Sequence, residues 1–295
     1  MKRRAFVKTT LSAGLGIPAL NSGCIHIKSG PFVYPNSLAF TQLRNELNNR
    51  GLTLTDFHIH IRGGMTPEKA VTREKASGIR SAVLENFGRE WPLKNGNDLA
   101  AFITMCKKVK INGTTIPVGI QVNDRDWYRN IDKTTFERLD YVLADTMIMG
   151  VTKEGKPQRL WKDDILIDKP EVWMQQYLQH NLGILDEPVT ILANPTYLPK
   201  SIAHLYDTLW TDKRMEEVIT KAIVRKVALE VQLETKFARK RFLKKAKKMG
   251  AVFSFGSNNF TDKTKKVDNW LNTIRLLDLK QRDILTHPRK LVYPG

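Results

Sequence analysis

Leu52-Thr53-Leu54-Thr55-Asp56-Phe57-His58-Ile59-His60 reads as a β-strand that ends in two histidines. β-Branched, aromatic and leucine side chains suit a pleated, buried segment, and neither Gly nor Pro interrupts the run. On a strand, residues two apart project from one face. His58 and His60 therefore share a face, with Asp56 expected on it as well. Two imidazoles at that spacing can grip one divalent metal ion.

Six further β-rich runs follow, at residues 79–85, 115–122, 140–145, 189–193, 226–231 and 251–255. Helical segments lie between them. Thr66-Pro67-Glu68 reads as an N-cap, a first-turn proline and a first-turn acid. Pro170-Glu171 opens a helix across 172–182. Residues 236–249 place Phe242, Ala246 and Met249 on one stripe and end at Gly250, which suits the left-handed position after a helix. Strands alternating with helices point to a parallel sheet with crossover helices. Seven such units, undivided by any linker, predict an α/β fold closed into a seven-stranded (β/α) barrel over residues 51–295. Residues 25–50 read as a polar, irregular lead.

In such a barrel the active site forms at the carboxyl ends of the strands. Each apolar run here stops in a carboxylate, an amide or a histidine: Glu85-Asn86, Gln121-Val122-Asn123, Asp145, Asn194, Glu230-Val231-Gln232 and Asn258-Asn259 follow the first pair. His58, His60, Glu85 and Glu230 form the candidate ligand set. Imidazoles with hard oxygen donors suit zinc, manganese or iron. Glu85 and Glu230 have a second reading, as structural ion pairs with Lys or Arg. Asp145, expected across the mouth from the first strand, is the candidate general base, or else a loop cap. Arg125 and Arg159 follow strands and are placed to fork onto a phosphate or carboxylate, with an ordinary salt bridge as the alternative. Trp91, Trp127, Trp161 and Tyr197 are expected to wall a pocket. Asn194, Asn258 and Asn259 read first as turn formers. His26, His180, His204 and His287 carry no expected chemistry.

Around this centre the chain is basic, with 48 Lys+Arg against 30 Asp+Glu and a net charge of +18. Its 41% hydrophobic content argues against disorder. Two cysteines, Cys24 and Cys106, exclude a disulfide scaffold and a thiolate zinc site. Eight basic residues fall within 236–248, but their apolar stripe marks an outer helix rather than a nucleic-acid footprint, and no specific nucleic acid is expected. No apolar run is long enough to span a bilayer.

Residues 1–24 have a basic start and a short apolar stretch, the form of an export signal. Arg3-Arg4 with Phe6 and Lys8 resembles the bacterial twin-arginine signal, which implies the twin-arginine export machinery as a partner and a periplasmic or cell-surface location. The alternative is a basic arm that stays attached. Leu20-Asn21-Ser22-Gly23-Cys24 partly resembles a lipoprotein cleavage site: Gly23 fits, whereas Asn21 stands where an aliphatic residue is usual. Membrane attachment through a lipidated Cys24 stays open. Removing this segment takes four basic groups and leaves a charge of +14.

Residues 52–260 resemble the polymerase and histidinol phosphatase (PHP) family of metal-dependent phosphoesterases. The likeness rests on Asp56-Phe57-His58-Ile59-His60, Gly78-Ile79-Arg80, Ile116-Pro117-Val118-Gly119-Ile120 and Phe253-Ser254-Phe255-Gly256-Ser257. It implies a distorted seven-stranded barrel, with His58 and His60 among the ligands of a multinuclear metal centre. The chain departs from that pattern at Glu85-Asn86, Gln121, Asn194-Pro195 and Asn258-Asn259, where the family carries Asp-His, Glu, His-Pro and Asp-x-His. One metal, or two at most, is the reading that survives these changes.

The resulting expectation is a hydrolase whose metal-activated water attacks a small or anionic substrate, a phosphoester first. An amidohydrolase-type enzyme cutting a C–N or ester bond is the first alternative. A degenerate barrel that binds a ligand without chemistry is the second.

Overall fold

The computed structural model describes residues 38–111, 113–152, 155–233, 238–260 and 267–294. The export signal, Cys24, His26 and the first half of the expected lead lie outside the described residues. Seven parallel strands close into a barrel in sequential order. They are β1 (Thr55–His60), β2 (Arg80–Phe87), β3 (Val118–Val122), β4 (Tyr141–Asp145), β5 (Ile191–Ala193), β6 (Ala228–Gln232) and β7 (Phe253–Gly256). Each overlaps one of the runs expected from sequence. β1 pairs with both β2 and β7, which completes the ring.

Alternation along the strands sorts side chains into two apolar layers. Phe57, Leu84, Tyr141, Leu143, Ile191 and Ala228 pack inside the barrel. Val83, Ile120, Val142, Leu229 and Phe255 face the surrounding helices. β1 breaks the alternation once. Asp56 pairs with Ser81 and Ile59 with Val83, so three steps on β1 match two on β2. The extra residue is a bulge. It places Phe57 in the interior cluster and the next residue, His58, on the wall of the mouth pocket. Asp56 thereby falls on the opposite face from His58 and His60, against the expectation from simple alternation.

The helices obey local rules. α1 (Leu38–Arg50) replaces the irregular lead expected there. It is helical because Leu43 and Leu47 bury one face, and Glu46 pairs with Arg275 at 2.8 Å across to α7 (Asp268–Leu276). In α2 (Pro67–Ser77), Thr66 caps the Lys69 amide, proline opens the helix, and Gly78 ends it in the left-handed region. α3 (Gly96–Lys107) begins at the Asn95 cap, and α4 (Pro170–Ile184) begins at Pro170. α5 (Asp212–Arg225) buries Met215, Val218, Ile219 and Ala222, each large apolar side chain contributing about 1.5–3 kcal/mol. α6 (Lys240–Met249) buries Phe242, Leu243 and Ala246 and ends at Gly250 in the left-handed region. Its outer cations pair with α5, as Lys245 does with Glu216 at 2.5 Å, in keeping with an outer helix.

Two antiparallel hairpins were not foreshadowed by the periodicity. Lys110–Ile111 pairs with Thr114–Thr115, and Ile148–Val151 pairs with Pro157–Arg159. The second follows β4 directly and carries Arg159. Among the described residues, no helix is long and apolar enough to cross a membrane.

Candidate functional site

The carboxyl ends of the strands surround a pocket of about 340 Å³. His58 and His60 line it from β1, Asn86 from β2, Gln121 from β3, Asp145 from β4, Asn194 just past β5, Gln232 from β6 and Asn258 past β7. Trp91, Trp161, Phe260 and Arg62 form its outer wall.

Each histidine is held from behind by a buried carboxylate. His58 Nδ1 lies 2.5 Å from Glu230 Oε1, and His60 Nδ1 lies 3.3 Å from Glu85 Oε1. The two rings are tilted, with centroids 5.1 Å apart. Glu230 is 1% exposed and Glu85 3%, so both need partners. Glu230 Oε2 also accepts from the Asn194 amide. Glu85 occupies an outward register on β2, with Val83 and Phe87. Its Oε1 accepts from the Asn86 amide and lies 3.3 Å from Arg62 Nη1. The ion-pair reading thus holds for Glu85 alongside its contact with His60.

The amides join these groups into one directed network. Gln121 Nε2 donates to Asp145 Oδ2 at 3.1 Å, which turns its Oε1 toward His58 Nε2 at 2.9 Å. Asn194 Nδ2 donates to Asp145 Oδ1, and Asn194 Oδ1 accepts from Gln232 Nε2. Asn123 Nδ2 donates to Asn86 Oδ1 at 3.0 Å. Asp145 Oδ1 also accepts from the Met147 amide. Polar groups buried this deeply hold one arrangement because their neighbours tie them together.

Burial sets the protonation tendencies. It raises the Asp145 carboxyl above the usual carboxylate range, against the hydrogen bonds from Met147 and Asn194. It lowers the His60 imidazole to about 4. For His58, burial is the strongest single influence and pulls downward, but the charge and hydrogen bond of Glu230 together with Asp145 and Gln121 outweigh it, and the net shift is upward.

The four candidate ligands meet as two pairs. Glu85 and Glu230 meet the histidines at Nδ1 instead of converging on a shared point, and the Gln121 amide stands between His58 and Asp145. Among the described residues, no three His, Cys, Asp or Glu side chains group as a metal site requires. No family model matches the chain, and no curated protein matches it.

Other expectations divide. Asp145 lies in the pocket, three strands from β1. Arg125 does not line it: its guanidinium pairs with Glu187 at 3.3 Å, the salt-bridge alternative. Arg159 stands at the rim, with its guanidinium carbon 4.8 Å from the Trp91 ring centroid and 5.9 Å from that of Trp161. Trp91 and Trp161 wall the pocket as expected. Trp127 is in the core instead, stacked on Phe136, and Tyr197 is buried with its hydroxyl donating to the Leu160 carbonyl. Asp56, displaced by the bulge, accepts from the His58 and Ser257 amides through Oδ1 and pairs with Arg73 of α2 at 2.7 Å through Oδ2.

Asn86, Gln121, Asn123, Asn194 and Gln232 belong to the floor; sequence reasoning assigned Gln121, Asn123 and Asn194 a part only in the ligand-binding reading and assigned Asn86 and Gln232 none. Asn194 is both things at once: its φ of 51° makes the turn, and its side chain reaches Asp145. The available signal was the run of amides at strand ends. Two glycines make room for the site. Gly88 has φ 137°, a backbone open in practice to glycine alone, and a Cβ there would come within 2.8 Å of Trp91 Cδ1. A Cβ on Gly256 would collide with the Glu230 carboxylate and approach His58 Cβ to 2.8 Å.

Proposed function

We propose that this barrel is a hydrolase acting on a small molecule bound at the carboxyl mouth. The observation that carries the reading is the pair of imidazoles, each held at Nδ1 by a buried glutamate, with Asp145 across the same pocket. A carboxylate behind an imidazole fixes its orientation and tautomer. With Nδ1–H toward Glu85, His60 presents Nε2 as a proton acceptor. Asp145 is the second candidate acceptor for a proton from attacking water. His58 has both ring nitrogens engaged, by Glu230 and Gln121, and so positions the floor instead of donating to the substrate.

A divalent metal ion would extend this reading. Backing of Nδ1 by a carboxylate is also the support given to metal-ligating histidines, and zinc, manganese or iron would supply Lewis-acid polarisation when bound. The donor set falls short of such a site, and the steps above use the chain's own groups. The phosphoester as the bond cut rests on the resemblance alone.

The test is turnover of a panel of chromogenic glycosides, esters, amides and phosphoesters by tag-free protein, with metal counted per chain. His60→Ala and Asp145→Asn should each lower turnover by about 10²-fold or more while the barrel stays folded. Undiminished turnover in both variants overturns the assignment. A second reading, a ligand-binding barrel without chemistry, draws support from the floor amides, which the network holds in fixed positions. Saturable binding with no turnover across the panel would establish it. We also infer twin-arginine export from Arg3-Arg4. Replacing both with lysine should retain the protein in the cytoplasm, and continued export would refute the inference.

A further inference from the structure

We propose that the mouth pocket takes an uncharged, polyhydroxylated ring molecule, a carbohydrate or cyclic polyol, rather than a phosphate ester. The inference rests on the reading that this pocket is the substrate site, and it adds the class of substrate.

Electrostatics disfavours an anion. Three carboxylates, Glu85, Asp145 and Glu230, are buried in or directly behind the floor. Arg62 is the one arginine or lysine among the described residues lining the pocket. It is committed to Glu85 at 3.3 Å and lies over the Phe260 ring at 5.7 Å. Arg159 spreads its guanidinium over two indole rings at the rim, and Arg125 is taken by Glu187. A phosphate dianion would therefore meet carboxylates below it, and of these three guanidiniums Arg159 alone, at the rim, is not paired with a carboxylate, which is a poorer anion site than a convergent arginine fork.

The remaining surface matches hydroxyl groups. A hydroxyl both donates and accepts, and so does a carboxamide, which offers two N–H bonds and two lone pairs. Asn123 gives one N–H to Asn86 and accepts one from Gln121, so its amide has capacity for a ligand. The floor amides are held in position by the network, and such a site rejects molecules that lack the matching hydroxyls. Above the floor stand the indoles of Trp91 and Trp161, the latter 41% exposed. Aromatic faces beside hydrogen-bonding groups suit a ring with an apolar C–H face and a polar edge. The volume of about 340 Å³ admits one or two such rings.

The experiment is isothermal titration calorimetry of the full protein with myo-inositol, methyl glucosides, methyl galactosides, cellobiose and maltose, and separately with inorganic phosphate and glycerol 3-phosphate. The expected result is saturable binding of at least one neutral compound, weakened tenfold or more by Trp161→Ala and by Asn123→Ala, with no saturable binding of either phosphate. Saturable phosphate binding that Arg62→Ala abolishes would overturn the proposal. So would a neutral panel that shows no binding at 50-fold excess over protein, and so would polyol binding unchanged in both variants. Polyol binding with no turnover across the whole substrate panel supports this inference and refutes the hydrolase reading. Turnover of a phosphoester with no polyol binding refutes this inference and leaves the hydrolase reading standing.

Discussion

Replacing Gly256 with alanine adds one methyl group at the most crowded point of the floor. The Gly256 backbone lies outside the left-handed region, so alanine meets no conformational barrier and the effect is steric. The new Cβ would stand 2.8 Å from His58 Cβ and 3.0 Å from Glu230 Cδ, and would overlap Glu230 Oε1. Carbon atoms need about 3.5 Å, so the carboxylate has to retreat and the 2.5 Å contact with His58 Nδ1 is lost. Loss of a buried, charge-assisted hydrogen bond costs about 1.5–3 kcal/mol, and overpacking a core adds about 1–3 kcal/mol. Gly256→Ala should therefore destabilise the barrel by about 2.5–6 kcal/mol. The assay is urea unfolding in a double-mutant cycle with Glu230→Ala, which removes the carboxylate that the methyl group strikes. In that background the glycine substitution should cost at least about 2 kcal/mol less. An equal cost in both backgrounds, or a cost below about 1 kcal/mol in the parent, would refute the steric argument.

Three further outcomes follow from the same geometry. Asp56→Asn strips the counter-charge from buried Arg73 and should cost about 3–5 kcal/mol; adding Arg73→Met should recover part of that loss, and an unimproved double variant would show that the pair is not the cause. Arg125→Met should lower stability by about 2 kcal/mol through loss of the Glu187 pair yet leave the affinity of any ligand of the mouth pocket unchanged, whereas a tenfold loss of that affinity would bring Arg125 back to the proposed site. Burial lowers the His180 imidazole to about 3, so the folded chain keeps it neutral while the unfolded chain protonates it below about pH 6.5. Stability present above pH 6.5 is then lost as pH falls, by about 2 kcal/mol at pH 5; His180→Phe should remove that share of the acid sensitivity measured by urea unfolding, and an unchanged pH profile would count against it.

The barrel was legible because its signals are local. Seven apolar runs, the Thr66-Pro67 helix start and the Gly250 stop each act within a few residues, and all of them recur in the structure. α1 was not legible as a helix because its formation depends on burial of Leu43 and Leu47, a gain that local residue preference does not express. The bulge in β1 was hidden for a related reason. Period-2 alternation is a property of one strand, whereas the extra step between Asp56 and Ile59 exists only relative to β2.

The sequence by itself determined which residue types would stand at the strand ends: histidines, carboxylates and amides, since alternation and strand length place them there. Which atoms they offer was decided by the closed barrel. Glu230 and Glu85 lie far along the chain from the histidines they hold, so their contacts at Nδ1 depend on strand register and ring closure. The same closure set Gln121 between His58 and Asp145, turned Asp56 away toward Arg73, and drew Arg125 to Glu187. Residue identity is a property of the chain, but the partner of a buried charge is chosen by what packing brings within hydrogen-bond reach. A charge shut away from water cannot be left without such a partner.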